Sequence, residues 1–111
     1  GNPNSIEDKI VEYARRNLDG FHIADQDQFL AKIHTLYQQN RGILSSKAPH
    51  VLTAAVLYVL LNHEGIRVTQ AQMASKFNCS ITSIRDSQKI FQKSLKYHVY
   101  DGERIIKSNV P

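Results

Sequence analysis

The sequence feature that most constrains the fold is an apolar run at residues 51–61, interrupted only by Thr53. Pro49 precedes the run, and proline suits the first position of a helix. Gly65 follows it and predicts where that helix ends. The run is far shorter than the roughly 20 residues that span a bilayer. A helix without a polar face has to be surrounded by other elements, so we expect this one at the centre of the fold.

Three further positions mark the beginnings of helices on either side of this run. Ser5, Asp25 and Thr69 carry side-chain oxygens of the kind that cap helix N-termini, and helical periodicity of apolar residues follows each of them. Asn78 predicts a break after the Thr69 helix, because asparagine tolerates the left-handed backbone conformation of a tight turn. A last helix follows the break, and its inward-facing residues are expected to be Ile81, Ile84, Phe91 and Leu95.

These helices add up to one domain, because a chain of 111 residues has room for a single hydrophobic core. We therefore predict an all-α fold with five helices in residues 5–96. Residues 1–4 are interpreted as the end of a linker and residues 97–111 as a C-terminal tail. Within the tail, Asp101-Gly102 predicts a two-residue β-hairpin turn, and a partly disordered tail is the alternative.

The positive charge of the protein is concentrated in its C-terminal part. The whole chain carries a net charge of +4. Residues 1–65 hold six basic and seven acidic side chains, which gives −1, whereas residues 66–111 hold eight basic and three acidic side chains, which gives +5. A nucleic-acid-binding surface has this kind of distribution. The alternative is that the lysines of the last helix only keep that helix soluble.

Residues 69–88 have the pattern of a helix-turn-helix, with a short helix, a tight break and a second helix whose outer face is basic. The N-terminal part of such a second helix enters the major groove of DNA, so we predict a DNA-binding site there. Arg85 would read guanine O6 and N7, and Lys89 and Lys93 would reach phosphates. Helix pairs of this shape also occur as plain structural elements, which is the alternative. The small groove-facing positions would be Ser80, Thr82 and Ser83.

The sequence shows no combination of residues typical of an enzyme, a metal site or a cofactor site. Its one cysteine, Cys79, excludes an intrachain disulfide and a multi-cysteine zinc site, and no obvious base lies beside it in the sequence. No two of the five histidines are four residues apart, as paired helical metal ligands are. We therefore expect no catalytic residues, no metal and no cofactor, and structural roles for Cys79 and the histidines.

Four segments of the chain resemble a known repeat. They are residues 47–49 (KAP), 54–58 (AAVLY), 64–70 (EGIRVTQ) and 83–85 (SIR). In order and spacing they are similar to a cyclin-like repeat of the transcription initiation factor IIB family, which includes the archaeal transcription factor B proteins. The similarity extends over residues 5–96 and is greater to the second repeat of that family than to the first.

The resemblance implies a five-helix cyclin-like fold and a role in basal transcription initiation. The two repeats of this family clamp the TATA-binding protein on promoter DNA, and the second repeat reads the element just upstream of the TATA box through the major groove. The resemblance implies that Arg85 faces a base, that Lys89 contacts the DNA backbone, and that Ser80, Thr82 and Ser83 face the groove. Asp86 departs from the family, which often has a basic or neutral residue there. We expect it to weaken binding or to alter the preferred site.

The implied partners are double-stranded promoter DNA, the TATA-binding protein and, for a complete factor, RNA polymerase. The sequence shows neither an N-terminal zinc ribbon nor a partner repeat, so we interpret it as an excised domain or a reduced homologue. We expect a monomer that does not bind membranes and works inside the cell, in the nucleoid of an archaeon or the nucleus of a eukaryote.

Two other functions are compatible with the sequence. A cyclin-like domain can bind a partner peptide or helix in a groove, here beside the second and third predicted helices, and apolar docking of that kind persists at high salt. Phosphate contacts instead weaken as counterions are added, so salt dependence separates the two functions. A stand-alone helix-turn-helix regulator is the other alternative, and it would need a homodimer to read paired half-sites.

Overall fold

The fold consists of six helices and one short hairpin within residues 5–95, 99–100 and 105–106, which the computed structural model describes. The all-α prediction is confirmed. The four-residue α3 is not predicted from the sequence, because a single turn shows no apolar periodicity. In chain order the elements are α1 (Ile6–Arg16), α2 (Gln26–Gln39), α3 (Arg41–Leu44), α4 (Pro49–His63), α5 (Gln70–Phe77), α6 (Ile81–Leu95), β1 (Val99–Tyr100) and β2 (Ile105–Ile106).

Helix α4 occupies the centre of the fold, as its apolar sequence predicts. Every side chain from Leu52 to Asn62 is buried, on all sides of the helix. Helices α1, α5 and α6 pack against α4, and α2 packs against α1 and α6. The outer helices therefore need only one apolar face each, which is the pattern that their sequences show.

The three predicted N-caps all form. The side-chain oxygens of Ser5, Asp25 and Thr69 each accept a hydrogen bond from the backbone N–H three residues further on, at 3.1, 3.0 and 3.0 Å. At α5 the capping is reciprocal, because Gln72 Oε1 accepts a hydrogen bond of 2.7 Å from the backbone N–H of Thr69. Such caps satisfy backbone donors that have no partner inside the helix, and so fix where α1, α2 and α5 begin.

A tight turn after α4 leads the chain into α5. Gly65 has a φ of +85°, and the backbone N–H of Ile66 donates a hydrogen bond of 2.8 Å to the carbonyl oxygen of Leu61. This is the bond that closes a Schellman motif, in which glycine is favoured because it adopts a positive φ without strain. The buried Asn62 side chain then donates a hydrogen bond of 3.1 Å to the carbonyl oxygen of Val68, which fixes the segment just before α5.

The prediction that four residues of the last helix face inward is wrong for one of them. Ile84 and Phe91 are buried and Leu95 is half-buried, but Ile81 is 36% exposed. Ile81 is the first residue of α6, so no earlier turn of that helix lies beside it to help cover its side chain.

The C-terminal tail contains a pair of strands. β1 runs antiparallel to β2, with Val99 opposite Ile106 and Tyr100 opposite Ile105, and β1 lies against α4. The predicted turn residues Asp101 and Gly102 lie outside the described residues. The register differs from the predicted two-residue turn, because four residues separate Tyr100 from Ile105.

Candidate nucleic-acid interface

Helices α5 and α6 are joined by a three-residue turn at residues 78–80. Asn78 has φ 53° and ψ 55°, the left-handed conformation that its place in the sequence predicts. The backbone N–H of Cys79 donates a hydrogen bond of 3.0 Å to the carbonyl oxygen of Ala74, which closes the C-terminus of α5. A tight turn of three residues therefore joins α5 directly to α6, as in a helix-turn-helix.

A buried pair of glutamines joins the two helices of this motif. Gln70, the first residue of α5, donates a hydrogen bond of 2.7 Å from Nε2 to Oε1 of Gln88 on α6. The two residues are 5% and 4% exposed. Because the bond joins the start of α5 to the middle of α6, it holds α6 at a fixed position relative to α5. The sequence signal for this contact is the place of Gln88, four residues after Ile84 and three before Phe91, on the buried face of the helix.

Replacing Gln88 with leucine is expected to destabilise the domain by about 1–2 kcal/mol, because the amide of Gln70 is left buried without its partner. The double variant Q70L/Q88L removes both polar groups, so we expect it to be more stable than the sum of the single variants. Urea unfolding of the two single variants and the double variant measures this coupling. Additive free energies of unfolding would contradict a specific glutamine–glutamine contact.

One exposed face of α6 contains most of the predicted DNA-binding residues. We name this face the α6 stripe. Each member lies three or four residues from another member, so together they occupy one side of the helix, and all of them are exposed. The stripe consists of Thr82, Arg85, Asp86, Lys89 and Lys93.

Ser80 and Ser83, also predicted to bind DNA, form the N-terminal cap of α6 instead of belonging to the stripe. The Ser80 hydroxyl accepts a hydrogen bond of 3.1 Å from the backbone N–H of Ser83 and donates one of 2.9 Å to the Ser83 hydroxyl. Ser80 is exposed and Ser83 is half-buried. The two hydroxyls thus fix the beginning of α6, directly before the stripe.

The cations of the stripe repel one another. Arg85 and Lys89 are four residues apart, and so are Lys89 and Lys93. Like charges at this spacing destabilise a helix by about 0.2–0.5 kcal/mol for each pair. Among the described residues, none of these three cations forms an ion pair with a carboxylate. Counting Asp86, the stripe carries a net charge of +2, from three cations and one anion.

Some other cations of the described residues are paired with carboxylates, although the exposed Lys9 and Lys76 form no ion pair. Arg15 and Arg16 lie 3.3 and 3.6 Å from the carboxylate oxygens of Glu12 on the same helix, and Lys32 lies 3.1 Å from Glu64. What distinguishes the α6 stripe is that three cations follow one another at four-residue spacing and none of them forms an ion pair with a described residue.

Two shallow grooves lie away from the stripe. The first, about 300 Å³ in volume, runs between α2 and the C-terminal end of α6, where Leu36, Ser94 and Leu95 line it. The second, about 270 Å³, lies beside α5, where the Lys76 ammonium is 5.8 Å from the centre of the Phe21 ring. The groove predicted for a partner peptide or helix lies beside the second and third predicted helices, which are α2 and α4. Neither of the two grooves is lined by α4, and the first lies between α2 and α6.

Cys79 lies in the turn of the helix-turn-helix and is half-buried. Burial raises the pKa of its thiol, which disfavours the reactive thiolate. Within the described part of the chain, no group of three His, Cys, Asp or Glu side chains is placed to hold a metal ion. Among the described helices, none is long and apolar enough to cross a membrane.

Neither a protein-family model nor a curated protein matches this chain significantly. The features that bear on the function of this chain are therefore the geometry and charge of the α5–α6 pair and the resemblance of residues 47–85 to a family repeat.

Proposed function

We propose that this protein is a promoter-DNA-binding domain of a IIB-type transcription initiation factor, with a cyclin-like fold formed by α1, α2, α4, α5 and α6. In this proposal α6 lies in the major groove upstream of the TATA box. The observation that carries the proposal is the α6 stripe, in which three exposed cations on the second helix of a helix-turn-helix form no ion pair with a described residue. The resemblance of residues 47–85 to the family repeat supports it independently.

The N-terminal half of α6 suits base reading. A helix about 10–12 Å across fits the major groove, which is about 12 Å wide. Thr82 is small, so it lets the first turn of the helix approach the base edges. Arg85 lies one turn further along and can donate two parallel hydrogen bonds to O6 and N7 of guanine. The cap formed by Ser80 and Ser83 holds this first turn rigid.

The second half of α6 suits backbone contact. Lys89 and Lys93 follow Arg85 at one and two helical turns on the same face. A helix in the groove directs such side chains toward the phosphates, where they add affinity without sequence information. Binding of this kind releases counterions from DNA and therefore weakens as salt is added.

The TATA-binding protein is the protein partner in this proposal. A single DNA-binding module buries only about 600–1,000 Å². A second protein on the adjacent DNA adds contact area and fixes the position of the domain on the promoter. Cooperative binding with the TATA-binding protein is what the sequence resemblance implies for this family.

Replacing Lys89 or Lys93 with glutamine tests the proposal. Each change is expected to reduce the slope of log affinity against log salt by about 0.9, and to weaken binding evenly across DNA sequences. Fluorescence anisotropy with a labelled duplex, at several salt concentrations, measures the slope. Lys9→Gln is the matched control, because Lys9 is an exposed lysine on α1 and its loss should leave the slope unchanged. Equal effects of all three changes would contradict binding through α6.

The groove between α2 and α6 favours a second candidate function, which is the docking of a partner peptide or helix. Leu36, Leu95 and Lys32 are among the residues that line it. Binding in this groove would be kept at high salt and would be insensitive to Lys89→Gln and Lys93→Gln. The same salt titration therefore distinguishes the two functions.

A further inference from the structure

Asp86 is the one acidic member of the α6 stripe, and the domain itself does not explain it. It is exposed, and it forms no hydrogen bond or ion pair with another described residue. It is the sixth residue of α6, beyond the first turn where a negative charge favours a helix. Aspartate is also a poor helix former at an interior position. Asp86 lies three residues before Lys89, a spacing at which opposite charges stabilise a helix slightly, but the two side chains form no ion pair in the structure. Neither capping, helix propensity nor a formed ion pair therefore accounts for a carboxylate here.

The carboxylate also opposes attraction of DNA by the stripe. Asp86 is four residues after Thr82 and three before Lys89, so it lies on the face proposed to enter the groove. A negative charge on that face repels phosphates and reduces affinity that depends on charge alone. A surface that bound DNA without regard to sequence would be better served by a neutral residue. The position of Asp86 thus points to contact with a base.

The major groove offers a carboxylate a restricted set of partners. An ionised carboxylate only accepts hydrogen bonds, and the donors on the groove edges are the amino groups of cytosine N4 and adenine N6. The adenine amino group lies between two acceptors, adenine N7 and thymine O4, which repel a carboxylate. The cytosine amino group has an acceptor, guanine O6, on one side only. Cytosine is therefore the better partner.

We infer that Asp86 reads a cytosine in the base pair next to the guanine read by Arg85, by accepting a hydrogen bond from the cytosine N4 amino group. This inference depends on the proposed function. Arg85 and Asp86 are consecutive on a helix with about 3.6 residues per turn, so their side chains diverge by about 100° and lie at opposite edges of the stripe, from which they can reach different base pairs. Arg85 and Asp86 would then recognise two adjacent base pairs, with Arg85 donating hydrogen bonds to guanine and Asp86 accepting one from cytosine.

The test compares wild type, D86A and D86N on DNA. Duplexes with a fixed TATA box and a randomised upstream segment are selected by each protein, and affinities for the selected duplex and its single-base variants are then measured. Wild type is expected to prefer cytosine at one position by about fivefold to tenfold. In D86A that preference is lost while affinity for other sequences rises, and in D86N it moves toward adenine, which asparagine recognises. Asp19→Ala is the matched control, because it removes an exposed carboxylate from the segment after α1, outside α6.

Each outcome bears on the inference. If D86A raises affinity for all sequences equally and keeps the wild-type preference, Asp86 acts through repulsion alone and the inference is overturned. If Asp19→Ala changes the preference as D86A does, the effect is not specific to α6 and the inference is again overturned. If wild type selects no sequence and binds no duplex at low salt, the proposed function itself is wrong. That result differs from a retained cytosine preference in D86A, which overturns only the role of Asp86.

Discussion

Replacing Arg85 with alanine is expected to lower the affinity for the preferred duplex by about 1–3 kcal/mol and to relax the preference at one base pair. The reason is that the guanidinium makes two hydrogen bonds to guanine, and the other bases do not offer the same pair of acceptors. Arg85 is exposed and pairs with no carboxylate among the described residues, so its loss removes no internal contact. Anisotropy measurements on the preferred duplex and its variant at that base pair show both effects.

Arg85→Lys is the control for this prediction, because it keeps the charge and removes the planar pair of donors. We expect this variant to keep the salt dependence of wild type while losing most of the discrimination at the guanine position. If Arg85→Ala binds with unchanged affinity and preference, the assigned position of α6 in the groove is wrong.

Replacing Leu57 with alanine is expected to destabilise the domain by about 2–5 kcal/mol. Leu57 is fully buried near the middle of α4, the helix against which α1, α5 and α6 all pack. The cost has two parts: the lost burial of apolar atoms and the cavity that remains when three surrounding helices cannot all move inward. A domain of this size is stable by only about 5–15 kcal/mol, so the change consumes a large part of its stability.

Urea unfolding of Leu57→Ala measures this cost, with Ile43→Ala as the control. Ile43 belongs to α3 and is 60% exposed, so its truncation is expected to change the free energy of unfolding by no more than about 0.5 kcal/mol. A cost below about 1 kcal/mol at Leu57 would contradict the central position of α4, since buried leucines cost at least twice that.

Much of the fold is predictable from local sequence. The position of α4 follows from the lack of a polar face, and the starts of α1, α2 and α5 follow from Ser5, Asp25 and Thr69, whose side chains make the expected hydrogen bonds. The left-handed turn follows from Asn78. These features depend on residues close together in the chain, for which spacing and side-chain chemistry are sufficient guides.

Features that depend on contacts between helices were not predictable in the same way. Gln70 and Gln88 are eighteen residues apart and bond to each other inside the fold. Periodicity assigns Gln88 to a buried face but does not name its partner. Likewise, Ser80 and Ser83 have the right character for a groove-facing surface, and their mutual hydrogen bond becomes apparent only once the first turn of α6 is formed. Of the six predicted DNA-binding residues, Thr82, Arg85, Lys89 and Lys93 lie together on the stripe.

The measurement that tests the central claim most directly is an NMR amide titration of the isotope-labelled domain. The probe is a short duplex carrying a GC-rich element upstream of a TATA box, added at low and at physiological salt. Binding through the helix-turn-helix predicts shifts concentrated in residues 69–93, fading as salt rises, with α1 and α2 unaffected. A folded domain that shows no shifts in α6 at low salt, or shifts confined to the groove between α2 and α6, would contradict it.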